Sequence, residues 1–351
     1  MKMETIGDKA VWERFVDESP DGTIFHRWDF LKIVEKYTKY QLYPYGIYQD
    51  GLLICIIPFF LCSRRGLKLM LSPPEIPIAN VPYLGFATSP EICALKPHDK
   101  ISTMNRVIGV MHEELKKLSN SICLGLNPSI KDVRPFEWHD YEIDQQYTYV
   151  INLDKTLKEI WEGFDRDCKK NINECMKHDL TYRVTSDVDT FNNILKNGLS
   201  RYGDTFYHRQ DPAYIKELMA AFPENIKLYF YYQGDEIVGV KLNMGYKKHY
   251  LSWMGNVAVQ KTLNVNEFFY WEMIKKAKSE GYEIFENYGT IDRNLNDFKS
   301  KFNPILEPCF YVQKKDAVYR AAELSYQTVS GLVNFTKVNH KMDKTFANKG
   351  P

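Results

Sequence analysis

Asp292, Asp297 and Lys299 lie within the segment YGTIDRNLNDFKSKF at residues 288–302. Neighbouring carboxylates can hold the ammonium group of a lysine in place or shift its pKa. A carboxylate can also act as a base toward an amine. The alternative interpretations are that the two aspartates are turn residues and that Lys299 lies on a surface loop. The grouping is therefore a candidate for acid–base or electrostatic chemistry.

Signatures of several enzyme classes are absent from the sequence. It contains no GxxxxGK phosphate loop, no GxGxxG after a strand, no GxSxG elbow and no HExxH. These absences argue against nucleotide hydrolases, dinucleotide enzymes, serine hydrolases and zinc proteases. None of the eight histidines lies at metal-ligand spacing to another, so we expect no metal site.

The elements that would position the Lys299 grouping are clearest in the second half of the chain. Apolar residues recur at three- and four-residue steps over 152–178 and predict one helix, capped by Asp154. Asp211 and Pro212 open a second helix. Three antiparallel strands are predicted at 226–232, 236–246 and 249–255, followed by a helix at 267–280 capped by Asn266 and a last strand at 282–289.

The first half shows the same order of elements. Its predicted helices lie near 11–16 and 29–37, its strands at 42–49, 52–61 and 67–72, a Pro-rich insertion at 73–97, a helix at 99–118 and a strand at 121–126. In addition, TIFHRWD at 23–29 and TFYHRQD at 205–211 share Thr, His, Arg and Asp before the second helix of each half. The shared histidines, His26 and His208, suggest a buried hydrogen bond. The repeated order of elements and the shared motif predict that the same fold occurs twice in the chain.

Composition limits the class of protein. A chain of 351 residues predicts two domains, and its net charge of +1 argues against a DNA-binding coat or a polybasic membrane binder. Seven cysteines without a CxxC pair indicate buried thiols in a reducing compartment. The longest apolar run, 52–62, contains Pro58 and is too short to cross a bilayer. No secretory signal is visible, and we expect a soluble cytoplasmic protein without a transmembrane segment.

These observations predict an α/β (α+β) fold class with two domains. We place the first domain at 1–148 and the second at 149–315. The chain from 316 to 351 begins with an amphipathic helix, which we expect to pack back on the first domain.

The order of elements resembles the GNAT acyltransferase fold, and a tandem pair of them resembles the Fem family of aminoacyltransferases. Four stretches carry the resemblance: HRWDFLK at 26–32, KKNINECMKHDL at 169–180, HRQDPAYIKEL at 208–218, and the last segment with Gly289, Phe298, Lys299 and Phe302. The resemblance implies two tandem GNAT-like units, each a mixed, mainly antiparallel sheet flanked by helices.

The resemblance also implies transfer of an acyl or aminoacyl group to an amine, without a metal or a tightly bound cofactor. In such a fold the third and fourth strands of a unit splay apart and expose backbone amides to the acyl donor. The chemistry needs a neutral amine, an oriented ester or thioester, and donors for the developing oxyanion. Lys299 would then stabilise charge on the reacting carbonyl or on the leaving group.

The donor is left open between aminoacyl-tRNA and acyl-CoA. Acyl-CoA members of the fold carry a glycine-rich turn whose bare amides approach the pyrophosphate at a helix start. The equivalent segment here begins at Lys261 and has Asn264 and Asn266 where those glycines belong. Because asparagine side chains crowd the phosphates, the segment favours an aminoacyl-tRNA donor, as in Fem-type enzymes.

Further substrate contacts are implied by the same resemblance. Lys32, one helical turn after Trp28, matches a phosphate-gripping lysine, and Arg209 matches a phosphate-contacting arginine; the alternatives are a surface lysine and an arginine paired with Asp211. Tyr250, Trp253 and Tyr288 should line the cleft, where Tyr250 could donate a proton to the leaving group. With 24 tyrosines in the chain, core packing is the alternative for each of them.

The function predicted from the sequence is formation of an amide bond on an amine of a cell-envelope or related metabolite. One alternative is an acyl-CoA-dependent N-acetyltransferase with a degenerate CoA loop. The other is a non-catalytic ligand-binding protein of the same fold.

Overall fold

The computed structural model describes residues 1–74, 80–199, 211–258, 264–289 and 293–330. It divides the chain into two compact units. Among the described residues, unit 1 comprises Met1–Gln146 and Pro308–Ser330, and unit 2 comprises Tyr147–Glu307. Each unit contains a mixed sheet with helices packed on it.

The first half of the chain forms, in order, β1 (Lys2–Thr5), α1 (Lys9–Glu18), a 3₁₀ turn (Ile24–His26), α2 (Trp28–Thr38), β2 (Gln41–Gln49), β3 (Leu52–Arg64), β4 (Leu67–Ser72), β5 (Ala87–Thr88), α3 (Pro90–Cys93), α4 (Pro97–Leu115), β6 (Ser121–Gly125), α5 (Arg134–Glu137) and β7 (Glu142–Asn152).

The second half forms α6 (Leu157–Gly163), α7 (Arg166–Cys175), β8 (Leu180–Thr185), α8 (Val188–Leu199), α9 (Pro212–Ala221), β9 (Ile226–Gln233), β10 (Glu236–Tyr246), β11 (His249–Ala258), α10 (Val265–Ser279), β12 (Ile284–Asn287), α11 (Arg293–Ser300), β13 (Ile305–Lys315) and α12 (Ala317–Ser330).

The two sheets repeat one strand order. In unit 1 the order is β1-β2-β3-β4-β6-β13, and in unit 2 it is β8-β9-β10-β11-β12-β7. In each sheet the fourth and fifth strands are parallel and the other pairs named by register are antiparallel. The predicted tandem arrangement of two GNAT-like sheets is confirmed.

Each sheet is completed by a strand from the other half of the sequence. Tyr311–Lys315 of β13 pairs with Gly125–Ser121 of β6 in unit 1. Ile284–Asn287 of β12 pairs with Asn152–Tyr149 of β7 in unit 2. The last strand of each half is therefore exchanged, a feature that the order of elements along the sequence does not predict.

The repeated His-Arg motif has a structural role in its first copy. The ring Nδ1 of the fully buried His26 accepts from the Thr23 amide at 3.2 Å, and Arg27 forms an ion pair with Glu13 of α1. These contacts confirm the predicted buried hydrogen bond before α2. In the second copy, His208 lies outside the described residues, whereas Asp211 caps α9 by accepting from the Ala213 amide at 2.9 Å.

The prediction of a single helix over 152–178 is wrong. The chain forms α6 and α7, separated by Phe164 in extended conformation and by Asp165, the N-cap residue of α7. The cap of α6 is Thr156, in a capping box with Glu159. The break turns the Phe164 ring into the core, where it packs edge to face on Trp271 and Phe302. Burial of this aromatic ring offsets the loss of helical hydrogen bonds.

Helix α10 covers one face of the unit 2 sheet. Phe269 stacks on Tyr231 of β9 with ring centroids 3.7 Å apart, and Tyr270 packs on Phe285 of β12. The polar side chains that the central strands carry on this face are consequently buried beneath a helix. Among the described residues, no helix combines the length and the apolar character that crossing a membrane requires.

Candidate functional site

Two parallel strands of unit 2 separate soon after they pair. The register of β11 with β12 consists of His249↔Ile284, Tyr250↔Phe285 and Leu251↔Glu286. Strand β12 ends at Asn287, whereas β11 continues to Ala258 along β10. The register of β11 with β12 therefore stops at Leu251 within the described strands, as the family resemblance implies for the third and fourth of the strands predicted in the second half of the chain.

Lys299 lies at the end of β12. It belongs to helix α11 and is 6% exposed, so the alternative interpretation of Lys299 as a surface loop lysine is wrong. Its Nζ donates to the carbonyl oxygens of Tyr288 at 2.6 Å and of Gly289, and more weakly to that of Asn287 at 3.5 Å. Main-chain carbonyls stabilise the ammonium form, so this side chain holds a positive charge in the interior of unit 2.

A second buried lysine, Lys241 of β10, is not predicted as a site residue from the sequence. It is 5% exposed, and its Nζ donates to the carbonyl oxygen of Gly255 on β11 at 3.3 Å. Burial, aided by the charge of Lys299, lowers its pKa to about 7. An amine with such a pKa is substantially neutral at physiological pH.

The face of the sheet that carries Lys241 has further polar groups. Asn243 of β10 and Ser252 of β11 are register partners, so their side chains share one face. Both residues are buried, and neither Asn243 Oδ1 nor Ser252 Oγ has a hydrogen-bond partner among the described residues. Unpaired buried polar atoms are rare in folded proteins and often mark sites that a ligand or water completes.

Tyr250 takes part in a hydrogen-bond chain on the same face. Asn243 Nδ2 donates to its hydroxyl at 3.1 Å, and that hydroxyl donates to Tyr229 at 3.5 Å. The three side chains line a cavity of about 380 Å³ together with residues near the end of α10, including Lys276 and Tyr282. Burial raises the pKa of Tyr250 well above its usual value, so the phenol stays protonated and can donate a hydrogen bond.

The other predicted residues of unit 2 occupy different positions around the strand separation. Trp253 is the extra residue of a bulge in β11, between the pairs Leu242↔Met254 and Asn243↔Ser252, and its side chain is half-buried. Tyr288 is half-buried and supplies a carbonyl to Lys299. Asp297 is exposed on α11, the helix that buries Lys299.

The predicted donor segment is described only in part. Asn264 is exposed and is the N-cap residue of α10, without a hydrogen bond from its side chain to the helix, and Asn266 is half-buried in the first turn. The helix therefore begins before Asn266, the predicted cap. Lys261, Arg209 and Asp292 lie outside the described residues.

Trp28 and Lys32 lie in unit 1, on α2. The Trp28 ring is half-buried and packs edge to face on Trp12 at 6.0 Å. Lys32 is exposed and forms an ion pair with Glu35. Within the described part of the chain, no cluster of three or more His, Cys, Asp or Glu side chains could hold a metal ion.

Residues 164–300, which contain the strand separation and both buried lysines, match the family model described as the acetyltransferase (GNAT) domain. This stretch is a GNAT domain. No curated protein matches the sequence significantly. The GNAT domain accounts for α7 to α11 of unit 2 and thus for the site described above.

Similarity to solved structures covers more of the chain than the match to the family model does. The crystal structure of FemX aligns with a TM-score of 0.68 at 12% identity, over 94% of this chain and 100% of that chain. The C-terminal domain of a putative lysylphosphatidylglycerol synthetase from Agrobacterium fabrum aligns with a TM-score of 0.55 at 12% identity, over 93% and 98%. A tandem GNAT protein from the clavulanic acid biosynthesis pathway aligns with a TM-score of 0.51 at 8% identity, over 90% and 98%. What these proteins share with this chain is the fold.

Proposed function

We propose that this protein forms an amide bond by transferring an aminoacyl or acyl group to an amine of a cell-envelope or related metabolite. The observation that carries the proposal is the separation of β11 and β12 in the GNAT domain, with the buried ammonium of Lys299 at the end of β12. The acyl donor would lie along the backbone of β11 beyond Leu251.

The chemistry follows from that placement. When an amine attacks an ester or thioester carbonyl, negative charge develops first on the carbonyl oxygen and then on the leaving group. Backbone amides of β11 would orient the donor, and the Lys299 charge would stabilise the developing anion through its field. Because the site is buried, a fixed charge acts there with less screening than in water.

An aminoacyl donor is favoured over acyl-CoA by the start of α10. The segment lacks the glycines that let backbone amides approach a pyrophosphate, and Asn264 and Asn266 occupy this region instead. The fold shared with FemX and with a lysylphosphatidylglycerol synthetase domain, whose name identifies a lysyl product, points the same way. Acyl-CoA-dependent N-acetyl transfer is the second candidate, because the matching family model is that of the acetyltransferases.

Several residues keep the substrate-contact roles that the family resemblance implies, each within its own unit. Trp253 and Tyr288 would contact the donor, and Tyr250 would give a proton to the leaving group. In unit 1, Trp28 and the exposed Lys32 would contact the acceptor and its phosphate. Asp292, Arg209 and Lys261 keep their proposed binding roles from the sequence, and Asp297 that of an auxiliary base.

Binding of the donor to the full chain tests the proposal. Calorimetry with acetyl-CoA and a longer acyl-CoA, and filter binding with aminoacylated and uncharged tRNA, should reveal preference for aminoacylated tRNA. Transfer of labelled amino acid to a small amine should then be lost in Lys299→Met and kept in Arg293→Gln, which removes an exposed charge from the same helix. Saturable CoA binding would instead support the N-acetyltransferase, and binding of neither donor would overturn transfer in favour of a ligand-binding protein.

A further inference from the structure

The two buried lysines of unit 2 have contrasting environments. Lys299 is surrounded by three consecutive carbonyl oxygens, those of residues 287–289. Lys241 has one carbonyl acceptor, that of Gly255 at 3.3 Å, and no carboxylate of the described residues forms an ion pair with it. Only the first environment is suited to an ammonium ion, because a buried charge needs several compensating partners.

The groups that face Lys241 do not compensate a second charge. Tyr229 of β9 is its register partner on one side, and Gly255 of β11 on the other. The charged group that acts on it from α11 is the Lys299 ammonium, which opposes protonation. Glu267, the buried carboxylate of α10, contacts Asn171 and Lys301 instead. Lys241 is therefore the neutral member of the pair.

We propose that Lys241 is the proton acceptor for the attacking amine, an assignment that rests on the proposed transfer reaction. Its Nζ contacts β11 at Gly255, within the stretch beyond Leu251 where the donor would lie. Gly255 has φ +83°, and a Cβ there would approach the Val240 carbonyl oxygen to 2.9 Å. The register of β10 with β11 also shifts between Val240 and Lys241, next to Gly255, and a glycine there lets the two strands come close enough for that contact.

The step is balanced in atoms and charge. The nitrogen of the acceptor amine forms a bond to the carbonyl carbon, and the proton that this nitrogen loses passes to Lys241 Nζ. The bond between the carbonyl carbon and the leaving oxygen or sulfur then breaks with its electron pair. The proton returns from Lys241 to the leaving atom, so the lysine ends as a neutral amine.

The test compares variants of the full chain by single-turnover transfer to glycinamide, from whichever donor binds, between about pH 6 and about pH 9. We expect the wild-type rate to rise with pH through a limb near 7, and Lys241→Met to lose this limb and about 10²–10⁴-fold in rate at pH 8. Lys241→Arg should be equally inactive, because a guanidinium keeps the charge but accepts no proton. Lys227→Met, which removes a less buried lysine of β9, is the matched control.

The outcomes separate this assignment from the proposed function. Activity retained by either Lys241 variant, or a pH limb unchanged in Lys241→Met, would overturn the base assignment while leaving transfer intact. No transfer by the wild type with any donor would overturn the function itself. Independently of activity, the lysine ¹³Cε resonance missing from Lys241→Met should titrate near pH 7; a Lys241 that stays charged at pH 8.5 would also overturn the assignment.

Discussion

Unit 1 and unit 2 share a strand order but differ where their two parallel strands part. In unit 2, β11 continues past Leu251 along β10, whereas its register with β12 ends there. In unit 1 the insertion after β4 returns to this place: Leu84 forms a parallel bridge with Leu126, and β5 pairs with β3 at Cys55 and Ile56. Leu84, Phe86 and Ala87 of this segment are buried. In unit 1, apolar side chains therefore occupy the place that corresponds to the end of the β11–β12 pairing in unit 2.

The two units also differ in their buried Lys, Glu and Asp side chains. Lys241, Glu267, Glu286 and Lys299, all in unit 2, are buried, whereas Asp21 is the buried charged residue of unit 1 among those described. Asp21 accepts hydrogen bonds from Thr88 of β5 at 2.6 Å and from Ser129 at 3.0 Å, so it helps to hold the inserted segment in place within unit 1. The comparison teaches that a duplicated fold can keep reactive groups in one copy and use the equivalent place in the other for packing.

Replacing Lys241 by methionine should have the largest effect on stability. A lysine whose pKa falls from 10.5 unfolded to about 7 folded destabilises the fold most below pH 7, and the penalty disappears as pH rises above 10.5. We therefore expect Lys241→Met to raise the free energy of unfolding by up to about 5 kcal/mol at pH 6.5, with the gain shrinking toward pH 10.

Urea unfolding of both proteins at several pH values measures this difference. A gain that does not vary with pH would show that Lys241 is not buried as a neutral amine. The equivalent strand of unit 1, β3, buries Cys55, Ile57 and Phe59, so it offers no lysine whose removal should act in this way.

Lys299→Met should lower the rate of transfer by about 10²–10³-fold, the usual consequence of losing one electrostatic group that stabilises an oxyanion. The fold should persist, because methionine fills a similar volume, and donor affinity should change little. Single-turnover kinetics with saturating donor measures the loss. A rate within a factor of two of the wild type would remove the distinction between the two units on which the proposed function depends.

Asp21→Ala should destabilise unit 1 by about 1–3 kcal/mol, because the buried hydroxyl group of Thr88 loses a charged acceptor and the exposed hydroxyl group of Ser129 loses a second contact. Denaturant unfolding followed by tryptophan fluorescence measures the change. Asp29→Ala is the control, since Asp29 forms an exposed pair with Lys9 and should contribute less than about 1 kcal/mol. Equal effects of the two substitutions would contradict the fastening role of Asp21.

Lys32→Gln should have the smallest effect on stability, below about 0.5 kcal/mol, because its ion pair with Glu35 is on the surface. If the proposed phosphate contact is correct, the apparent KM for a phosphate-bearing acceptor should rise while kcat stays constant. An unchanged KM would remove Lys32 from the substrate contacts and leave unit 1 without a tested binding residue.

Part of this arrangement can be predicted from the sequence. The strand over 236–246 begins and ends where predicted, because alternating side chains and polar turns specify it locally. Asp211 and Pro212 likewise place the start of α9. Lys299 is recognised through a family motif, but its burial depends on the carbonyls at the end of β12, which only the folded chain brings to it.

The burial of Lys241 and the pairing of the exchanged strands depend on contacts between distant parts of the sequence. In EIVGVKLNMGY, a lysine alternating with apolar residues is typical of a solvent-facing position. It is buried because α10 covers that face, and the signal for this is the run Phe268, Phe269, Tyr270 and Trp271, which is apolar on all sides of the helix. For β7 and β13 the local pattern is the same in either sheet, so pairing cannot be read from it.

The strand exchange means that two strands of the unit 1 sheet that pair with each other are synthesised at widely separated times. Unit 1 lacks its sixth strand until Tyr311–Lys315 has left the ribosome, long after its partner strand at 121–125. At translation rates of 5–20 residues per second, β6 would wait about 10–40 s with an open edge. A nascent chain of this protein thus needs either protection of that edge by a chaperone or a transient occupant, and β7, the strand that follows β6 in the chain, is the nearest candidate for that temporary pairing.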